Sequence, residues 1–322
     1  MSGLAETNDT GAGGLVIGVD EAGLGPNLGP LVIGLTVWRT RGEPWDADPL
    51  RDLPAVLAPA PAPGRVAVAD SKLLYGPKTG PGELAKTART AAAVCGRTPE
   101  SVADWLPAVR SPLPDAAAQP WFADLSGPLP AAEGIDHLAA AWRTAGEAAG
   151  LELIGVRCDA VFAPRFNAEL SRLGGKGRVL TGLSLGLLAD AWDPAAAPPT
   201  RVECDKHGGR NFYAAALAEA FGGLPGVRRE SAAGSEYTLG GGRHRVAFRP
   251  RGEAFAPVAL ASVLAKFTRE LLMHRLNAWW ADRAPGLKPT AGYPTDARRF
   301  AAATADVRAA LGVDEAAFWR VK

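Results

Sequence analysis

A chain of 322 residues that is 47% hydrophobic and 21% charged, with a net charge of +1, reads as an ordinary soluble globular protein. It is long enough to bury a large core, as one big domain or two small ones. No apolar stretch approaches the roughly 20 residues of a membrane-spanning helix, the first residues MSGLAETNDTGAGG are polar and unlike a signal peptide, and the three cysteines form no CxxC pair, so neither a spanning helix, a disulfide framework nor a zinc knuckle is indicated. A cytoplasmic protein with reduced core thiols at Cys95, Cys158 and Cys204 is expected. The charge is unevenly spread: residues 1–200 carry 16 Lys+Arg against 22 Asp+Glu, whereas residues 201–275 carry 12 against 7. A basic segment of this size fits a polyanion footprint and equally a solvated face.

Taken in chain order, residues 1–13 read as a flexible tail. The first pattern is LVIGVDEAGLGPNLGPLVIG, residues 15–34. A short β-branched run at 15–19 and a second apolar run at 31–37 flank a glycine-rich turn, which predicts a hairpin with Asp20 and Glu21 at its tip. Adjacent carboxylates at a strand end suit a hard divalent cation, although an Asp-Glu pair before glycines is more often a solvated turn. A dinucleotide-binding loop fits badly, because its third glycine would come one position before Gly29, and Pro26, Pro30 and a new strand occupy the space of the required helix.

Residues 41–66 and 107–131 are rich in proline and alanine and predict surface excursions. Helices are expected over 132–150 and 178–192, strands over 152–156 and 201–204, and a short linker over 193–200. Beyond Asp205 come a helix over 211–221 and β-like pieces at 226–229, 236–239 and 244–249. A long helix over 254–280 carries the strongest periodicity. Strands alternating with helices after an opening hairpin predict a mixed α/β layered domain.

Further chemistry sits at strand ends. Asp205 closes the run RVEC and is followed by KHGGRNFY, a mixture of cations, glycines and aromatics that few structural turns need. Glu253 precedes the long helix, where a carboxylate is equally favoured as an N-terminal cap. On that helix Ser262, Lys266, Arg269 and Met273 fall at spacings of 4, 3 and 4, so a hydroxyl and two cations share one face.

These residues carry a resemblance. VDEAGLGPNLGPLVI resembles the signature of the ribonuclease HII and HIII family, an Asp-Glu pair followed by a glycine-rich loop and a second strand. Three more blocks occur in the family's order: VADSKLL at 68–74 is similar to its Asp-Ser-Lys segment, ALASVLAKFTRELLM at 259–273 to its Ala-Ser-Ile-x-Ala-Lys-x-x-Arg helix, and PTAGYPTDARRF at 289–300 to its Gly-Tyr-x-Thr block. The resemblance implies an RNase H-like mixed sheet flanked by helices, with a helical C-terminal part from about residue 277. It implies one catalytic domain over 14–322, with insertions at about 41–66 and 100–135. It also implies metal-dependent cleavage of the RNA strand of RNA/DNA hybrids by a monomer with no membrane attachment.

Carried over position by position, the resemblance makes Asp20, Glu21, Asp205 and Glu253 the catalytic acids and the ligands of a two-metal Mg²⁺ or Mn²⁺ site. Asp159, which also ends a strand, is the rival for the third place. Gly23, Leu24, Gly25 and Ser71 would touch the substrate, Lys72, Lys206, Arg210, Lys266 and Arg269 would grip phosphates with Ser262 beside them, and Tyr293 would pack against a sugar or base. Each of those cations could equally be a surface ion pair. The chain departs from ribonuclease HII in one informative place: Gly23-Leu24-Gly25 stands where that family has the junction-reading Gly-Arg-Gly, closer to the ribonuclease HIII loop. The signature begins too early for the extra N-terminal domain of ribonuclease HIII, and about a hundred additional residues fall mostly between 75 and 200. A nuclease of the same fold with another nucleic-acid preference, or a silent nucleic-acid-binding relative, remain the alternatives.

Overall fold

The computed structural model describes residues 13–76, 80–112 and 119–321. The tail expected over 1–13 lies almost wholly outside them.

The opening hairpin forms as its apolar runs predict. Strand β1 (Gly14–Ala22) pairs antiparallel with β2 (Leu31–Thr40), and β1 continues past its buried apolar run to include both Asp20 and Glu21. The next elements are α1 (Pro49–Asp52), β3 (Leu57–Ala58), β4 (Val66–Ala67), α2 (Ser71–Leu74), α3 (Gly82–Val94), α4 (Val102–Ala108) and α5 (Ile135–Ala149). Then come β5 (Leu151–Val161), α6 (Ala163–Leu173), α7 (Lys176–Ala191), β6 (Thr200–Asp205), α8 (Ala214–Phe221), β7 (Gly226–Ser231), β8 (Gly234–Leu239) and β9 (His244–Arg249). The 26-residue helix α9 (Ala256–Ala281) is followed by α10 (Pro294–Ala303), α11 (Ala305–Ala310) and α12 (Glu315–Phe318).

Seven strands form one mixed sheet in the order β5-β2-β1-β6-β9-β8-β7, in which β1, β6 and β9 run parallel and β2, β5 and the β7-β8 hairpin complete it antiparallel. Helices cover both faces, each over its own apolar cluster. This is the RNase H-like α/β architecture, with helices after residue 277, that the sequence led us to expect.

Helix α9 lies on β1 and β2 at backbone contact distance. A Cβ on Gly18 would overlap the Pro257 carbonyl and one on Gly34 the Ala261 carbonyl, so glycine at both places is what lets the helix approach. The Thr36 hydroxyl donates to the Pro257 carbonyl at 2.8 Å and fixes the helix start.

Two expectations are corrected. The segments read as surface excursions supply core: Leu53, Val56, Leu57 and Val66 from the first, and Trp121, Phe122 and Leu129 from the second, are all buried. Their apolar residues are spaced among prolines without a regular period, which hides them from pattern reading. The second correction concerns Glu253. It lies in a single 3-10 turn (Gly252–Ala254), and the residue that caps α9 is Phe255, with no side-chain cap, so the capping role does not apply.

No described helix is long and apolar enough to cross a membrane. Among the thiols, Cys158 and Cys204 are buried and Cys95 is partly so; all three are free.

Candidate metal centre and nucleic-acid cleft

Register brings the acids together. Val19 of β1 lies opposite Cys204 of the parallel strand β6, so the residues that follow, Asp20 and Asp205, emerge side by side at the strand ends. Carboxylate oxygens of Asp20, Glu21 and Asp205 all lie within 4.8 Å of one another. Three negative groups this close, with Asp20 buried, raise one another's proton affinity. Burial, then Glu21 and Asp205, push Asp20 well above the usual carboxylate range, against a smaller opposing effect from the Ser262 hydroxyl. Glu21 is pushed up to about 7 by burial and by Asp205. Asp205 is raised by burial and by Glu253, while the N–H of Gly252, donating to its Oδ1 at 2.8 Å, works the other way.

Asp159 is elsewhere. It pairs with Ile33 on β2, whose other neighbour is Glu21, so β2 stands between Asp159 and the cluster, a separation of roughly 10 Å across two strand spacings. Its oxygens are also taken, by a bidentate pair with Arg165 at 2.7 and 2.9 Å. Of the two candidates for the third acid, it is Asp205 that sits beside Asp20.

The acids open into a cleft of about 290 Å³. Glu253 lines it, outside the tight group of three. The loop Gly23, Leu24 and Gly25 forms one wall, and Ser71 and Lys72 at the start of α2 face it. The Ser71 and Ser262 hydroxyls are 3.1 Å apart, which ties α2 to α9 next to Asp20. Lys72 is exposed, and its charge favours the ionised forms of both Glu21 and Asp205. Tyr293 is 55% exposed at the rim, beside Gly25.

Not every expected cation is available. Lys266 lines the cleft, but its ammonium donates to Glu270 at 2.7 Å and lies over the Tyr75 ring. Arg269 is buried, packs against Gly23, and donates to the Ala291 carbonyl at 3.0 Å. Lys206 lies outside the cleft, with all three ammonium protons used by Asn211 Oδ1, Ser231 O and Ala232 O at 2.6, 2.9 and 2.8 Å, which leaves none for a phosphate. Arg210 lies outside that cleft, in a neighbouring pocket that Leu24 also lines; its Nε donates to the Phe212 carbonyl and its guanidinium covers the Tyr213 ring. The KHGGRNFY mixture is thus in good part structural, since Lys206 ties down a turn whose His207 is buried and pulled down to about 3 by desolvation.

Two residues of the site were not singled out in the sequence. Asp70 lines the cleft and caps α2 by accepting from the Lys72 N–H at 3.0 Å, a role its place before Ser-Lys could have suggested. Arg320 lies behind the glycine loop, and nothing in its local sequence marks it.

The donor set fits a hard divalent cation. It consists of carboxylate oxygens only, crowded and held at raised proton affinity by burial and by one another, with the His207 and Cys204 side chains buried in the interior.

Neither a protein-family model nor a curated protein matches the sequence. Solved structures do. The ribonuclease H2 of Pyrococcus horikoshii OT3 is 16% identical, with 94% of this chain and 92% of that chain covered and a TM-score of 0.48. RNase HII of Archaeoglobus fulgidus, solved in a complex with PCNA, is 14% identical over 96% and 94%, with a TM-score of 0.42. Bst-RNase HIII in complex with Mn²⁺ is 15% identical over 99% and 74%, with a TM-score of 0.38. The seven-stranded mixed sheet flanked by helices, opened by the hairpin that carries the acidic pair, is an RNase H-like α/β fold.

Proposed function

We propose that the protein is a divalent-metal-dependent endonuclease that cleaves the RNA strand of RNA/DNA hybrids. The observation that carries this reading is the meeting of Asp20, Glu21 and Asp205, drawn from two strands 184 positions apart in sequence, at the floor of a cleft walled by a glycine loop. Structural turns do not need three mutually repelling carboxylates; a cation site does.

Asp20, Glu21 and Asp205 would hold Mg²⁺ or Mn²⁺, with Glu253 contributing charge at the edge. Two such ions, when bound, would supply activation of a water and stabilisation of the leaving 3'-oxygen. The protein's own groups bind and orient. Ser262 steadies Asp20, and the Gly252 N–H fixes the Asp205 carboxylate. Lys72, exposed at the mouth of the cleft, is placed to meet a backbone phosphate, and Tyr293 offers a face for a sugar. The N–H groups of Gly23, Leu24 and Gly25 donate to no protein acceptor among the described residues, so the loop can address ribose hydroxyls or phosphates through its backbone. Leu24 presents no guanidinium, which favours a substrate with several consecutive ribonucleotides over a single one.

The test is side-by-side incubation of labelled DNA, RNA and hybrid duplexes with Mg²⁺ and with Mn²⁺. Scission confined to the RNA strand of the hybrid, and lost in Asp205→Asn, supports the reading. Equal cutting of all three duplexes would assign a broader nuclease.

A further inference from the structure

The glycine loop that walls the cleft is held from behind by a residue 297 positions further along the chain. The guanidinium of Arg320 donates through Nη2 to the carbonyl oxygens of both Gly23 and Pro26. Its backbone completes the attachment: the Arg320 N–H donates to the Asn27 carbonyl at 2.8 Å, and the Asn27 side-chain amide donates to the Arg320 carbonyl at 2.8 Å. Arg320 is fully buried, with the Phe166 ring against its guanidinium at 4.9 Å.

Such a burial is costly unless a charge is paired. Among the described residues no carboxylate forms an ion pair with Arg320, its Nε and Nη1 have no hydrogen-bond partner, and the nearest charge felt is a second cation, Arg269. Desolvation and that like charge pull its proton affinity down to about 9. Arg269, itself ion-paired with Glu270 at 3.5 Å, packs against Gly23, whose φ of 91° only glycine adopts readily. Gly23 is therefore contacted by two buried guanidinium groups, with its carbonyl drawn inward and the loop's N–H groups left free.

We infer that Arg320 is a positioning residue for substrate: it turns the carbonyls of the Gly23-to-Pro26 loop inward, so that the loop offers N–H donors over a buried guanidinium to an anionic backbone. The inference rests on the nucleic-acid reading of the cleft and deepens it. It places behind the loop, from a distant part of the chain, the positive charge that Leu24 does not supply in front. The role belongs to binding rather than to chemistry, because Arg320 contacts none of the three clustered acids.

Steady-state kinetics on a hybrid with four ribonucleotides separate the possibilities, using Arg320→Gln, Arg320→Lys and Arg320→Ala, the last with and without millimolar guanidinium. The expected result is a KM raised roughly tenfold in Arg320→Gln with kcat within about twofold, because only binding has been weakened. Arg320→Lys should keep part of the affinity, guanidinium should lower the KM of Arg320→Ala, and Mn²⁺ titration of the acids should be unchanged in all three. A merely structural residue would lower the melting temperature and reduce kcat in step with the folded fraction, without guanidinium rescue of KM. That result, or an unchanged KM in a folded Arg320→Gln, overturns the inference while leaving hybrid cleavage by the unmodified protein intact. If the unmodified protein neither binds nor cuts the hybrid, the reading of the cleft falls, and this inference with it.

Discussion

Removing charge from the acidic cluster should change how stability depends on pH, and a divalent cation should cancel the dependence. Glu21 titrates at about 7 in the folded protein, against 4.5 for the free side chain. Its folded pKa is raised, so the stability it contributes is fully present below about pH 4.5 and is lost as pH rises through about 7. The displacement corresponds to about 3 kcal/mol at 1.36 kcal/mol per unit, an order-of-magnitude figure for so closely coupled a group. For a chain of this length that is roughly 5 °C of melting temperature. The assay is a set of melting curves between about pH 5 and pH 8, in chelator and in millimolar Mg²⁺ or Mn²⁺, for the unmodified protein and for Glu21→Gln. Without metal, the unmodified protein should lose stability across this range relative to Glu21→Gln. With metal, the loss should disappear, because the ionised carboxylates then have a partner. A gain from metal that is equal at both ends of the range, or identical pH profiles for the two proteins, would refute the claim that these carboxylates form one crowded cation site.

The other predictions separate site from scaffold. Asp20→Asn and Asp205→Asn should each abolish metal-dependent cleavage with the fold intact by circular dichroism, because the amide keeps the shape and removes the charge. Asp159→Asn should retain cleavage and lose about 1–3 kcal/mol in denaturant melts, since it weakens the bidentate pair that the buried Asp159 makes with Arg165. Lys206→Met should likewise cost about 1–3 kcal/mol, by stranding the acceptors on Asn211, Ser231 and Ala232. Lys72→Ala should instead leave stability unchanged and reduce the salt dependence of duplex binding by about one counterion in a titration against NaCl. A duplex with one embedded ribonucleotide should be cut more slowly than one with four, and Leu24→Arg should narrow the difference when the two are timed in parallel.

What was legible in the sequence is what local chemistry controls. The hairpin, helix α5 and the strand ending at Asp205 announce themselves through period and breaker residues, and the strand ends that carry Asp20 and Asp205 follow from them, whereas α7 and the long helix α9 are buried on most sides and lack the strong amphipathic period expected of the latter. The choice of Asp205 over Asp159 rests in the sequence on the order of elements and acids that the family resemblance implies, because both residues read there as strand ends; in the structure β5 runs on to Val161, so Asp159 does not end its strand. The choice is decided by register, which sets β6 next to β1 and leaves β2 between β1 and β5. Helices α3 and α4 were missed: α3 is alanine- and threonine-rich and buries most of its residues, and α4 is seven residues long with Pro107 inside it. Lys206 was misjudged for the same reason that Arg320 was overlooked. A cation's partners here are backbone carbonyls supplied by other segments, and no sequence spacing records them.

The most direct test of the central claim is cleavage of end-labelled duplexes carrying no, one or four ribonucleotides, each with Mg²⁺ and with Mn²⁺, by the unmodified protein and by Asp205→Asn. The account predicts metal-dependent scission within the four-ribonucleotide tract, weaker scission at one ribonucleotide, none in all-DNA duplex, and none of these by Asp205→Asn. Scission of all-DNA duplex at the same rate, or scission of the four-ribonucleotide duplex that persists in Asp205→Asn, would contradict it.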